Sequence, residues 1–155
     1  MKRLTILSTT ALLSISLVGG AFAAGMKPEQ QIETRQAGYK FMAWNMHKIK
    51  ANLSGNFKQQ QVQKAADAIA GIANSGMGAL YGPGTDKAVN GVETRVKPEL
   101  FTNKKEAGKV ARDFIDAANN LAEVAAMGDE AEVKQAFGAL GESCKACHKQ
   151  FRQDD

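Results

Sequence analysis

Apolar positions recur every three or four residues through most of the chain beyond residue 24, which is the spacing of one face of an α-helix. The first such segment opens near Pro28 and ends at 54–56, and a second covers about 58–75. In the first segment the positions that share a face are Ile32, Tyr39, Met42, Met46, Ile49 and Leu53. Few stretches alternate with a period of two, so the pattern predicts an all-α domain.

Two further helices carry signals at their ends. Asn103 is followed three residues later by Glu106, the spacing of a capping box at a helix start. Gly128 suits the end of that helix. Asp129, with Glu132 three residues on, then begins a fourth helix that continues to the C-terminus.

A long connection, about 76–101, separates the second helix from the third. It is rich in glycine and proline, which argues against a continuous helix. Connections of this length are uncommon in compact domains and are often functional. Two short links and one long link predict an antiparallel four-helix bundle, a fold in which cofactor sites are built from inward-facing side chains.

The N-terminal segment reads as a cleaved secretory signal over residues 1–23. A short basic start precedes an apolar run over 4–18, and small residues stand at Ala21 and Ala23. A membrane anchor is the alternative, but the run is shorter than the ~20 residues that span a bilayer. We expect a mature domain over 24–155 that is exported to the periplasm without stable membrane insertion.

Charge gives no support for a nucleic-acid partner. The full chain has 20 basic and 16 acidic side chains and a net charge of +4. Loss of residues 1–23 removes Lys2 and Arg3 and no acid, which leaves 18 basic and 16 acidic side chains and a net charge of +2. The basic residues are scattered among acids, as on a solvated surface, without a cluster interleaved with aromatics.

Both cysteines lie in the motif Cys144-Lys145-Ala146-Cys147-His148. Cys-x-x-Cys-His is the covalent attachment pattern of haem c. On a helix, residues three and four apart share a face, so both sulfurs and the imidazole can meet one haem, with His148 as axial iron ligand. A disulfide, the default for paired cysteines in an exported protein, and a zinc site with His47 as a further ligand remain alternatives.

The sixth coordination position of the iron decides the function. A methionine or histidine there gives a six-coordinate electron carrier, whereas a non-coordinating side chain gives a site open to a gas. Met42, Met46 and His47 in the first helix are candidate ligands, and their spacing does not choose among them. Arg152, four residues after His148, either lies beside the imidazole or offsets the dipole of the last helical turn.

Four segments carry a family resemblance: 31–39 in the first helix, 81–85 and 95–99 in and after the long connection, and 144–152 at the end. They include Tyr81-Gly82-Pro83-Gly84-Thr85 and Arg95-Val96-Lys97-Pro98-Glu99. With them the mature chain resembles, over essentially its whole length, cytochrome c′, the class II c-type cytochromes of purple and related bacteria. The C-terminal haem motif fits this family.

The resemblance implies one covalently bound haem c per chain. It assigns Tyr39 to the non-ligating distal position, in a subgroup with tyrosine there, over five-coordinate high-spin iron that takes NO or CO. Met42 then serves as distal packing, or as sixth ligand in the alternative reading. Arg35 and Gln36 match positions that approach the haem propionates. Glu93 and Thr94 of the connection, together with Arg95 beside them, match a family segment that closes over the haem edge.

The resemblance also implies partners. Members are homodimers built from the first two helices, and an apolar surface from Met46, Ile49, Leu53 and the alanine-rich second helix fits this expectation. Periplasmic redox proteins are further candidate partners. An enzymatic role is not expected, because no acid–base pair is apparent near the haem motif and Tyr39 would obstruct substrates larger than a diatomic.

Overall fold

The structure is a computed structural model and describes residues 25–154. The predicted signal segment lies outside these residues. Six helical elements follow in order: α1 (Pro28–Leu53), α2 (Gln59–Ala73), a 3₁₀ helix (Met77–Leu80), α3 (Glu99–Thr102), α4 (Lys104–Met127) and α5 (Glu130–Phe151). The four long helices form an antiparallel bundle, which confirms the predicted fold. Within residues 25–154, no helix is both long and apolar enough to span a membrane.

The predicted starts of α4 and α5 are confirmed by their capping hydrogen bonds. The side-chain oxygen of Asn103 accepts from the backbone N–H of Glu106 at 3.4 Å, and that of Asp129 accepts from Glu132 at 2.9 Å. Gly128 ends α4 in the left-handed region with φ +84°. Local chemistry therefore specifies both helix starts and the end of α4.

The core lies between helices that are neighbours along the bundle: α1 with α2, α2 with α4, and α4 with α5. Ala65 and Ala66 of α2 are fully buried, and their small side chains let α2 approach both neighbours closely. α1 makes few direct contacts with α5. The bundle is thus tightly packed along three of its sides and less so between its first and last helices.

The face of α1 follows the predicted pattern with one exception. Ile49 is fully buried and Met42 is 5% exposed, but Tyr39 is 42% exposed. Met46 and Leu53 pack against the core. The apolar surface expected from Met46, Ile49 and Leu53 is therefore largely inside the bundle, because these side chains serve its core.

The exposed apolar side chains of α1 lie on another face. Phe41 and Trp44 are 50% and 53% exposed, and their ring centroids are 5.3 Å apart. The ammonium of Lys48 lies 3.9 Å from the centroid of the Trp44 ring, a cation–π geometry. This pair was not anticipated from the periodic stripe, since it lies outside it.

The long connection is structured by two turns. Pro83 and Gly84, the latter with φ +80°, form the centre of a turn in which the N–H of Thr85 donates to the carbonyl of Gly82, the pattern of a type II turn. Asn90 and Gly91, at φ +49° and +80°, form a tight hairpin. Asn-Gly is a strong hairpin signal that is readable from the sequence alone.

The connection then pairs with the end of α5. The N–H of Lys97 donates to the carbonyl of Phe151 at 2.9 Å, and that of Gln153 to the carbonyl of Arg95 at 2.8 Å. Val96 and Arg152 form the antiparallel bridge between these bonds. The connection therefore reaches the C-terminal end of α5, directly after the motif.

Candidate functional site

The motif lies on the inward side of α5. Leu140 and Phe151, which share its face, are 1% and 4% exposed. Cys144 and Cys147 are half-buried and are not joined in a disulfide. Burial raises the pKa of both thiols, which keeps them protonated. The two sulfur atoms are thus available for bonds to another group.

A metal ion held by protein ligands alone finds no site in the described chain. Between residues 25 and 154 there is no group of three or more histidine, cysteine or acidic side chains that could hold one. The zinc alternative consequently lacks its further ligands there. An iron bound by His148 needs equatorial ligands from a porphyrin.

His148 follows the cysteines at the end of α5 and borders an open cavity of about 150 Å³, whose lining also includes Arg95 and Arg152. Desolvation of the ring, with a smaller contribution from the charge of Arg95, lowers the pKa of His148. A lowered pKa favours the neutral imidazole, the form that binds a metal. Arg152 also closes the last turn, where its N–H donates to the carbonyl of His148 at 3.0 Å.

Tyr39 of α1 lies opposite the motif. Its hydroxyl is 3.0 Å from that of Tyr81, which comes from the long connection. Desolvation raises the pKa of Tyr39, the hydrogen bond with Tyr81 offsets part of that rise, and electrostatic interaction with the sulfurs of Cys147 and Cys144 adds to it. Burial likewise raises the pKa of Tyr81. Both side chains are therefore neutral phenols at physiological pH.

Arg35 lies one turn before Tyr39 and is only 2% exposed. One terminal nitrogen of its guanidinium donates to the carbonyl of Leu80 at 3.0 Å and to the hydroxyl of Thr85 at 2.9 Å. The other donates to the carbonyl of Thr85 at 2.7 Å and to the hydroxyl of Thr94 at 2.8 Å. Four of its five N–H groups thus fasten the connection to α1.

Two glutamines of α1 make further bonds to the connection. The amide nitrogen of Gln36 donates to the carbonyl of Glu93 at 2.7 Å, and the amide oxygen of Gln31 accepts from the N–H of Gly82 at 3.1 Å. A Cβ on Gly82 would lie 2.6 Å from that oxygen, so any other residue there would displace the Gln31 amide from this bond. The structure therefore brings together the four predicted peripheral residues: Arg35, Gln36, Glu93 and Thr94. Their approach to a haem remains a prediction.

The other candidate distal ligands lie elsewhere on α1. Met42 belongs to the main apolar core, Met46 packs against that core, and His47 is exposed. Cys144 packs against the same apolar core as Met42, whereas the phenol of Tyr39 interacts electrostatically with both cysteine sulfurs.

Sequence reasoning did not identify three residues that shape this site: Leu80, Tyr81 and Thr85. The Pro83-Gly84 pair signals the turn that places Thr85, but neither spacing nor composition pairs Tyr81 with Tyr39. These contacts join residues 42 to 50 positions apart.

Two half-buried thiols and an exposed imidazole near the end of the last helix are the donor set that covalent haem attachment requires. The half-buried thiols and the sparse contact between α1 and α5 suit a flat group held between these helices. Fold and site together define a bundle cytochrome of c type.

Comparison with known proteins narrows this class. The sequence profile of the family described as Cytochrome C′ matches residues 30–152. Cytochrome c′ of Allochromatium vinosum is 59% identical over 152 residues, which cover 98% of this chain and 99% of that protein. A solved cytochrome c′ with an unusual ligand-controlled dimer dissociation is 63% identical, with a TM-score of 0.83, over 84% of this chain and 99% of its own. The chain belongs to the cytochrome c′ family and carries covalently bound haem c.

More distant solved relatives include ligand complexes. A nitric oxide complex of a mutant cytochrome c′ from Alcaligenes xylosoxidans is 25% identical, with a TM-score of 0.73, over 83% of this chain and 98% of its own. A carbon monoxide-bound variant of the same protein matches equally well.

Proposed function

We propose that this chain is a periplasmic haem c protein in which five-coordinate, high-spin iron binds diatomic gases such as NO and CO. The observation that carries this proposal is the position of Tyr39, opposite the Cys-x-x-Cys-His motif and hydrogen-bonded to Tyr81. Gas complexes of a distant relative support the ligand class. Export would depend on the predicted signal segment, residues 1–23.

The motif residues have distinct roles in this proposal. Cys144 and Cys147 attach the porphyrin through thioether bonds, and neutral His148 binds the iron. The haem supplies the metal centre at which a diatomic gas binds. The bonds between 95–97 and 151–153 fix the chain directly after the motif and thereby limit its movement.

Tyr39 shields the distal side without binding the iron. A phenol ligates iron well only after it loses its proton, and the raised pKa of Tyr39 opposes that loss. The side chain instead excludes large molecules by its bulk. A diatomic gas gains access when the ring turns aside, and this favours small neutral ligands over larger substrates.

The peripheral residues would hold the haem edge. Arg35 has one N–H group, at Nε, beyond the four that bind the connection, and this group is the one suited to a propionate. Gln36 fixes the backbone at Glu93 and so places the segment through Thr94 beside α1. That placement supports the proposal that this segment closes over the haem edge.

The alternative is a six-coordinate electron carrier with Met42 as ligand. It is less favoured because Met42 packs among the core residues of the bundle, and ligation would take its side chain out of that core. The proposed five-coordinate centre can itself take part in electron transfer.

A CO and NO titration of the ferrous holoprotein tests the proposal. We expect saturable binding with a large change in the Soret band, and the same spectra from Met42→Leu. Failure to bind either gas, or a ligand-free spectrum that changes on Met42→Leu, would contradict it. Tyr39→Ala should bind CO more tightly if the ring shields the iron.

We also propose a homodimer through α1 and α2. Phe41 and Trp44 give α1 an exposed aromatic pair, and a relative that is 63% identical has a ligand-controlled dimer. Sedimentation should show a dimer that Trp44→Glu shifts to monomer. The same change in charge at an exposed position of α4, Ala111→Glu, should leave the dimer intact. Dimers that persist in Trp44→Glu would exclude this face.

A further inference from the structure

We infer that Tyr81, from the long connection, is a positioning residue that holds Tyr39 over the distal site and so controls how readily a gas reaches it. This inference rests on the proposed function, because it concerns the same distal side chain. It adds a residue and a mechanism of control that the motif and the periodic pattern do not contain.

The bond between the two phenols is the first part of the inference. Tyr39 is 42% exposed, so packing alone constrains its ring less than that of a core residue. Its hydroxyl lies 3.0 Å from the hydroxyl of Tyr81. A bond at the tip of a long side chain restricts both of its torsions. Tyr81 therefore selects one orientation of the Tyr39 ring.

Tyr81 can perform this role because its own ring is held on two sides. The guanidinium carbon of Arg35 lies 4.6 Å from its ring centroid, a cation–π distance. The Phe101 ring packs against it with a centroid distance of 6.4 Å and a tilt of 59°. Tyr81 is thus wedged between α1 and α3.

The support behind Tyr81 is rigid as well. Arg35 is buried and makes four hydrogen bonds to the connection, two of them to Thr85. The bond from Gly82 to Gln31 fixes the backbone directly after Tyr81. A continuous set of contacts therefore runs from the connection through Arg35 and Tyr81 to the phenol of Tyr39.

This arrangement predicts a specific kinetic effect. A gas that displaces the Tyr39 ring must break the bond to Tyr81, so loss of that bond should ease entry. One neutral hydrogen bond corresponds to a change of about 3- to 10-fold in an equilibrium constant. The effect should appear mainly in the association rate, because the bond is absent once the ring has turned aside.

The test is a double-mutant cycle on the ferrous holoprotein, with CO association and dissociation followed by flash photolysis. Tyr81→Phe keeps the ring between Arg35 and Phe101 and removes only the hydroxyl. We expect it to raise the association rate about 3- to 10-fold with little change in dissociation. In a Tyr39→Phe background the same substitution should have no effect, because the bond is already lost. An equal effect in both backgrounds would overturn the inference.

A spectroscopic readout separates positioning from general loosening. The chain has two tyrosines, so in Tyr81→Phe the ultraviolet resonance Raman bands of tyrosine report Tyr39 alone. These bands should shift because the phenol has exchanged its protein partner for water; unchanged bands would contradict the inference.

The same set of variants distinguishes this inference from the proposed function. If Tyr39→Ala leaves CO binding unchanged, the shielding role of Tyr39 fails, and the positioning role of Tyr81 fails with it. If Tyr39→Ala strengthens binding while Tyr81→Phe behaves as the wild type, only the positioning role is overturned.

Discussion

Replacement of Arg35 by methionine should unfasten the long connection from α1. Methionine retains much of the buried aliphatic length but none of the four hydrogen bonds to Leu80, Thr85 and Thr94. A bond from a charged donor contributes about 1.5–3 kcal/mol to stability. Bonds that share one guanidinium are not additive, and relaxation of the connection lets water reach some acceptors. We therefore expect the free energy of unfolding to fall by about 3–5 kcal/mol. That is a large part of the total stability of a typical domain, about 5–15 kcal/mol.

Urea unfolding of the holoprotein, followed by far-ultraviolet circular dichroism, measures this loss. Arg35→Lys is the matched control for charge, because an ammonium keeps the positive charge but lacks the planar fork that bonds four ways. It should recover only part of the stability. A loss of less than about 1 kcal/mol of unfolding free energy in Arg35→Met, the value of a single ordinary hydrogen bond, would refute the idea that Arg35 fastens the connection to α1.

A double-mutant cycle of Arg35→Met with Thr94→Val measures how much of this stability comes from the bond between Arg35 and Thr94. The threonine variant alone should lose about 1 kcal/mol, and it should lose little in the Arg35→Met background. Full additivity of the two substitutions would show that the 2.8 Å contact between these side chains contributes no stability of its own.

Further predictions concern the turn and the phenols. Gly82→Ala should destabilise by about 1–3 kcal/mol, because its Cβ would displace the oxygen of Gln31 from its bond to the backbone. Gly71→Ala, in helix α2, adds a Cβ that meets no other side chain or distant backbone within 4 Å, and it should stabilise by about 0.5–1 kcal/mol. Equal effects of Gly82→Ala and Gly71→Ala in thermal melts would contradict this account. Folding raises the pKa of Tyr39 and Tyr81 above their ordinary value of 10.0, so the folded state holds these protons more tightly. Stability should be intact below pH 10 and fall above it, and a pH series of urea titrations should show a smaller fall for the double Tyr39→Phe, Tyr81→Phe variant.

The features that could be predicted from the sequence are those whose causes are local. Asn103 and Asp129 cap helices through bonds to residues three positions later, and the motif shares a helix face because of its spacing of three and four. The same reasoning assigned Ile49 to an apolar surface, but the bundle buries it. The periodic spacing shows which residues share a helix face, but it does not show which other helix packs against that face.

The contacts that could not be predicted join distant parts of the chain. Arg35 bonds to residues 45, 50 and 59 positions away, and no periodicity encodes those pairings. The exposure of Tyr39 on an otherwise core-facing stripe falls at the position that we propose shields the haem. The departure from the packing pattern thus falls at the proposed distal residue, where a functional constraint replaces a packing one.

The resonance Raman spectrum of the ferrous holoprotein without added ligand tests the central claim most directly, since its marker bands report iron coordination and spin state together. The account predicts five-coordinate, high-spin iron with an iron–histidine stretch from His148, unchanged in Met42→Leu. Six-coordinate, low-spin bands that disappear in Met42→Leu would contradict it and would make Met42, not Tyr39, the residue that defines the distal side.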